Sequence, residues 1–235
     1  MNDSITVDAA RLPLLLQELR LPTIAAMWQQ FTARADRARR RIQRHLVEAR
    51  LPPGKTLGSL DFAAIPMVSR AHVSALATGD AWLDSGSNIL LFGPSGSGKS
   101  HLAAAIGHAL VENGYRVLFT RATDLVQRLQ TARQALVLES AIEKLDKYQL
   151  IILDDLCYVR RDQAETSVLF EMIAARYERR SLLVTSNQPF GDWTSVFPDA
   201  AMTLAAVDRL VHHSTILEMN VESYRKRAAA TRQNR

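Results

Sequence analysis

The sequence predicts an α/β protein, a three-layer fold with a parallel central sheet behind a small N-terminal helical region. Three observations carry that expectation. From residue 63 onward, short apolar runs alternate with helical segments. The run Leu150-Ile-Ile-Leu153 is apolar throughout, the pattern of a strand buried on both faces. Residues 11–50 instead repeat their apolar positions at helical spacing.

The elements follow in order. Leu12, Leu15, Leu16 and Leu19 mark a first helical stretch. Pro22 opens the next, which carries Ile24, Met27, Trp28 and Phe31 and continues through Ile42, Leu46 and Val47. Pro52-Pro53-Gly54 breaks it. The expected organisation is a basic helical region at 1–50, a linker at 51–62 and the α/β domain at 63–235. Strands are expected at 88–92, 116–120, 150–153 and 181–185, with a fifth at 215–219. Helices are expected at 100–112, closed by Asn113-Gly114, and at 122–147 and 163–179.

Composition narrows the class. With 47% hydrophobic and 23% charged residues, the 235-residue chain reads as a globular protein. One cysteine, Cys157, excludes an intramolecular disulfide and favours a reducing compartment. No signal-like segment and no span-length apolar run is seen, so no membrane partner is expected and the cytoplasm is the expected location. The net charge of +5 is unevenly placed: residues 1–60 hold 10 Lys/Arg against 5 Asp/Glu, and the rest of the chain holds 19 of each. The excess is concentrated in Arg34, Arg37, Arg39, Arg40, Arg41 and Arg44. Such a block can neutralise phosphates and release counterions, or can simply be a solvated helix face.

The chemistry sits in four places. Gly93-Pro94-Ser95-Gly96-Ser97-Gly98-Lys99-Ser100 matches G-x-x-x-x-G-K-[ST] between an apolar strand and a helix. A loop of this kind turns backbone N–H groups toward phosphate oxygens, and the helix start adds its dipole. Lys99 can reach the β- and γ-phosphates of ATP, and Ser100 can offer its hydroxyl to Mg²⁺. Asp154 and Asp155 end an apolar strand downstream, an arrangement that sets Asp154 beside the metal and Asp155 against an attacking water. Thr185-Ser186-Asn187 closes the next strand; Asn187 could orient that water, or the stretch could be ordinary turn chemistry before Pro189. Asp208-Arg209 lies on a later helix, where Arg209 could reach a neighbouring subunit's γ-phosphate or pair with Asp208.

Together with Lys55-Thr-Leu, Asp61-Phe62, His101-Leu-Ala103, Arg176-Tyr-Glu-Arg-Arg180, Asp208-Arg-Leu-Val-His-His213 and Ser223-Tyr-Arg225, these stretches resemble the IstB-like transposition helper ATPases. That family is related to the helicase loader DnaC and the replication initiator DnaA within the AAA+ class of P-loop NTPases. The resemblance covers residues 55–227. It implies ATP hydrolysis with Mg²⁺, a homo-oligomer joined through its ATP sites, double-stranded DNA as ligand and a cognate DDE transposase as partner. It implies that Arg209 completes a neighbour's site and that Arg225 contacts nucleotide as a sensor-2-like arginine. His101, beside the loop serine, is counted with the nucleotide site, although packing explains it better than chemistry does. In the initiator group the helix after the second strand faces nucleic acid. Arg121, Thr123, Arg128 and Arg133 are the candidates for that face here, joining Arg37, Arg40, Arg41 and Arg44 of the basic block. The family often has glycine where this chain has Cys157. A DnaC-like helicase loader is the alternative within the same core motifs.

The remaining polar residues suggest little chemistry. His212-His213 are expected to point in different directions on a helix, without further ligands at metal-binding spacing. Trp28, Trp82 and Trp193 are isolated, so no base-stacking platform is expected.

Overall fold

The structure, a computed structural model, describes residues 15–16, 18–19, 22–157, 162–195 and 198–221. The chain divides into two compact units, Met1–Arg44 and His45–Arg235. In the first unit the described backbone is dominated by helix α1, whose full span is Pro22–Ala49. Ile24, Met27 and Phe31 fall on one face of it and are exposed.

The second unit is built on five parallel strands: β1 (Asn88–Phe92), β2 (Val117–Arg121), β3 (Leu150–Asp154), β4 (Ser181–Ser186) and β5 (Ser214–Glu218). Their order across the sheet is β2-β3-β4-β1-β5. β1, β3 and β4 are buried along their whole length, as their unbroken apolar runs require. Alternation then divides the sheet's side chains between two cores. Leu90, Phe92, Ile151, Leu153 and Val184 face helices α4 (Ala122–Gln134), α6 (Gln163–Arg176) and α7 (Ala200–Val211). Ile89, Leu91, Ile152 and Leu183 face α2 (Arg70–Thr78) and α3 (Lys99–Glu112), with Ala49 packed in the same cluster.

Residues 51–64, which include the expected linker, form two short 3-10 turns, Leu57–Ser59 and Phe62–Ala64. Thr56 and Ser59 cap the first reciprocally, and Asp61 accepts from the N–H groups of Ala63 and Ala64. Leu60 is buried beneath them. The helix expected over 122–147 is broken. Leu136 takes the left-handed conformation, with φ of 57°. Its N–H bonds Arg133 O at 2.9 Å, and that of Val137 bonds Ala132 O at 2.9 Å. This is a Schellman ending made without glycine, so no residue-type signal marks it. The short helix α5 (Leu138–Glu143) follows, then a 3-10 turn at Lys144–Lys147. The helix expected over 163–179 ends at Arg176, because Tyr177 is extended and Glu178 is left-handed.

Arg176 is fully buried at the N-terminal edge of the sheet. Nη2 donates to Tyr148 O (3.0 Å), Gln149 O (3.4 Å) and Ser181 O (3.1 Å), and Nη1 donates to Leu145 O at 3.2 Å. Asp146 lies 3.7 Å away. Burial pulls the guanidinium pKa down, and the Asp146 carboxylate opposes that pull. The planar fork thus satisfies the chain entering β3 and the chain entering β4 together. Arg176→Ala is expected to cost about 3–5 kcal/mol of stability, read from urea midpoints. Arg176→Lys should restore little of it, because one ammonium cannot span the same carbonyls.

Candidate nucleotide site

In parallel α/β sheets ligands gather beyond the carboxyl ends of the strands. Here the ends of β1, β3 and β4 lie side by side. The loop after β1 turns at Gly93, whose φ is +149°. A Cβ there would stand 2.4 Å from Met219 O. The chain leaving β5 is held this close because Met219 N–H donates to Phe92 O at 2.7 Å. Gly96 and Gly98 continue the turn in the left-handed region. Gly98 is the N-cap of α3 and provides no side-chain hydrogen bond there. The His101 N–H donates to Gly98 O at 3.0 Å, and the N–H groups of Lys99 and Ser100 at the head of the turn are placed to meet an anion. Ser97 Oγ is buried and has no hydrogen-bond partner among the described residues. An orphaned hydroxyl inside a phosphate-type loop fits a ligand bearing acceptor oxygens.

Lys99 is buried, and its ammonium donates to Gly93 O (2.7 Å) and Pro94 O (2.9 Å). It thereby ties the loop back on itself. Ser100 follows on the first turn of α3. Both line a cleft of about 710 Å³, together with Ser95–Gly98, Asp155 and His101. Lys55, Ser59 and Asp61 line its other side. Nothing in the residue types of these three announces a site; Lys55 and Asp61 serve in the sequence only as marks of resemblance, and Ser59 is not singled out at all.

The acidic pair is organised by a residue that sequence reasoning does not single out. Thr185, fully buried in β4, donates its hydroxyl proton to Asp154 Oδ1 at 2.7 Å. Thr185 Oγ1 in turn accepts the N–H of Asp155 at 2.9 Å. Asp154 is thus buried and oriented, while Asp155 is turned outward into the cleft at φ of 57°. A strained left-handed aspartate beside a phosphate loop is the kind of conformation functional sites retain. Asp154 can hold a hard cation with Ser100, and Asp155 can polarise a water. The only sequence signal for Thr185 is a hydroxyl residue one position beyond the apolar part of β4.

His101 faces the 3-10 turn, with Nε2 3.0 Å from Ser59 Oγ. Burial is the main reason its pKa lies below the usual histidine value. Arg121 and Thr123, expected on a nucleic-acid face, line the nucleotide cleft. Arg128 is exposed on α4. Arg133 is engaged by Glu171 and by Ser167 Oγ of α6, so its charge is offset within the chain. Asn187 is exposed past the end of β4, where Ser186 Oγ donates to Gln188 O at 2.7 Å and accepts from its N–H at 3.1 Å. Arg209 does not line its own chain's cleft. Its Nη1 donates to Ala205 O at 2.9 Å, and the guanidinium stands 5.1 Å from the Phe170 ring centroid. Arg37, Arg40, Arg41 and Arg44 are exposed on α1. Arg225 lies outside the described residues.

The sheet order, the glycine loop and the Asp154–Thr185–Asp155 arrangement define a P-loop ATPase. The chain belongs to the family of IstB-like ATP binding proteins, whose pattern matches residues 23–232. It is 66% identical over 244 residues to an insertion sequence ATP-binding protein, y4iQ/y4nD/y4sD, of Sinorhizobium fredii (strain NBRC 101917 / NGR234), covering 95% of this chain and 82% of that one. It is 37% identical over 223 residues to the insertion sequence IS21 ATP-binding protein of Pseudomonas aeruginosa, with the same two coverages. Its fold is similar to AMPPCP-bound DnaA from Aquifex aeolicus, at TM-score 0.61 and 18% identity over 79% of this chain and 56% of that one. It is also similar to the DnaC helicase loader, at TM-score 0.56 and 21% identity over 64% and 87%.

Two outcomes test the site. Thr185→Val removes the hydroxyl and keeps the shape; nucleotide affinity should change little while phosphate release falls about 10–100-fold, as for other orienting partners. Thr185→Ser should retain most activity, and normal turnover in the valine variant would exclude the orienting role. His101 binds its proton less tightly when folded, so stability is present above the unfolded pKa of about 6.5 and falls as pH drops through it. His101→Gln should flatten that part of the stability–pH curve measured by thermal melting.

Proposed function

We propose that this chain is an ATP-hydrolysing, DNA-binding assembly that helps the transposase of its insertion sequence act on target DNA. The observation that carries this reading is the presence, in one chain, of a phosphate-loop cleft and a run of arginines without ion-pair partners among the described residues. Among the described residues no ion pair engages Arg34, Arg37, Arg40, Arg41 or Arg44. They line one shallow groove on α1, suited to a polyanionic backbone. Relatives named as insertion sequence ATP-binding proteins support the assignment to transposition.

The residues divide the work as follows. Lys99 exchanges its two loop carbonyls for phosphate oxygens, so ATP enters by replacing existing hydrogen bonds. Ser100 and Asp154 would hold Mg²⁺, which fits because Thr185 orients only one of the two Asp154 oxygens. When bound, the ion would neutralise phosphate charge. Asp155 accepts the proton of the attacking water, and Asn187 steadies that water. Arg209, standing away from its own cleft, would serve the γ-phosphate of an adjacent copy, making the homo-oligomer the active form. Arg225 would complete nucleotide contact.

The deciding experiment measures duplex DNA binding across salt concentrations, with ATP, ADP or no nucleotide, beside phosphate release. ATP should strengthen binding. Replacing Arg37, Arg41 and Arg44 by Gln should reduce the slope of log affinity against log salt by roughly one per lost phosphate contact. Asp155→Asn should bind ATP and DNA yet lose turnover. DNA binding indifferent to nucleotide and to these arginines would overturn the reading, as would hydrolysis untouched by Asp155→Asn.

A further inference from the structure

The expectation that His212 and His213 diverge along one helix does not hold. His212 is the C-cap residue of α7, and His213 lies in the turn that leads into β5. That turn brings the two rings together, with centroids 4.0 Å apart and planes inclined at 46°. A third ligand arrives from 34 residues earlier in the chain. Glu178, in the turn between α6 and β4, places Oε1 3.6 Å from His212 Nδ1 and 3.8 Å from His213 Nε2. One ligand atom from each of the three lies within 4.8 Å of the others. Ligand atoms around a tetrahedral zinc, bonded at about 2.0–2.1 Å, stand roughly 3.4 Å apart. A contraction of a few tenths of an ångström would bring both carboxylate–imidazole separations to that value.

We propose that Glu178, His212 and His213 form a site for a divalent first-row transition ion of the zinc type. Two imidazoles and one carboxylate are a ligand set for such ions and a poor one for magnesium. The three side chains are exposed, so an ion can enter from solvent and a fourth position remains open to water. Tyr177 completes the surroundings. Its hydroxyl is 2.6 Å from His212 Nδ1. When Nδ1 turns to the ion, the Tyr177 hydroxyl is free to donate to Glu178 instead, holding the carboxylate as outer partners do in metal sites. The site lies at the N-terminal edge of the sheet, opposite the nucleotide loop. It would tie the α6–β4 turn to the α7–β5 turn and fix the end of the helix that carries Arg209.

The test uses the full chain, stripped with a chelator, and titrates Zn²⁺ against a chromophoric competitor near pH 7.5. One equivalent should bind, and Co²⁺ in its place should show the intense visible bands of a four-coordinate site. Glu178→Gln, nearly isosteric at an exposed position, should lose at least tenfold in affinity while melting like wild type without metal. The double variant His212→Ala/His213→Ala should lose the equivalent entirely, together with any zinc-dependent rise in Tm. Zinc held equally by the double variant, or no stoichiometric binding by wild type, overturns the proposal.

Discussion

The pairing of β3 with β4 is the constraint on which the rest of the site depends. Leu153 is level with Val184, so Asp154, the last residue of β3, comes beside Thr185 near the end of β4. From there one hydroxyl does two things: it donates to the carboxylate of Asp154 and accepts the N–H of Asp155. A slip of one residue would turn Thr185 to the other face of the sheet and leave Asp154 buried without its donor. The register is protected because both strands are buried on both faces, and because Arg176 binds the chain entering each of them at the opposite edge. A buried cation far from the cleft therefore helps set the geometry of the acids within it.

The architecture was legible because its signals are local. Uninterrupted apolar runs mark β1, β3 and β4, and glycines mark the phosphate loop where the backbone needs left-handed conformations. What escaped was built from distant partners. Leu136 ends α4 through backbone hydrogen bonds that any residue can make, so its type carried no warning. Thr185 is an unremarkable strand residue until β3 is laid beside it. Glu178 and the histidine pair meet only because α6 stops early and α7 ends at His212. In each case the missing information was which chain segment lies next to which.

Arginine shows the same limit. Counting charges located the basic excess correctly but could not say which guanidiniums were available. Arg176 is consumed by backbone carbonyls, Arg133 by Glu171, and Arg116 by Glu48 at 2.7 Å. Those on α1 between 34 and 44 are not paired within the described residues. A phosphate backbone competes with internal carboxylates for the same groups, so the unpaired arginines can contribute most to counterion release.

The two edges of the sheet make complementary demands. At the carboxyl edge, polar groups such as Ser97 Oγ and the outward Asp155 are held ready for a ligand. At the amino edge, Asn88 is satisfied internally: it accepts from Leu182 N–H and donates to Leu210 O, joining β4 to the last turn of α7. That fixed edge gives α7 its anchor. Arg209 precedes Leu210 by one residue, so its position depends on the same anchoring that Asn88 provides. The role proposed for Arg209 requires a rigid element, because a misplacement of an ångström would weaken such a contact greatly. Rigidity at the amino edge is thus what the role proposed for Arg209 demands.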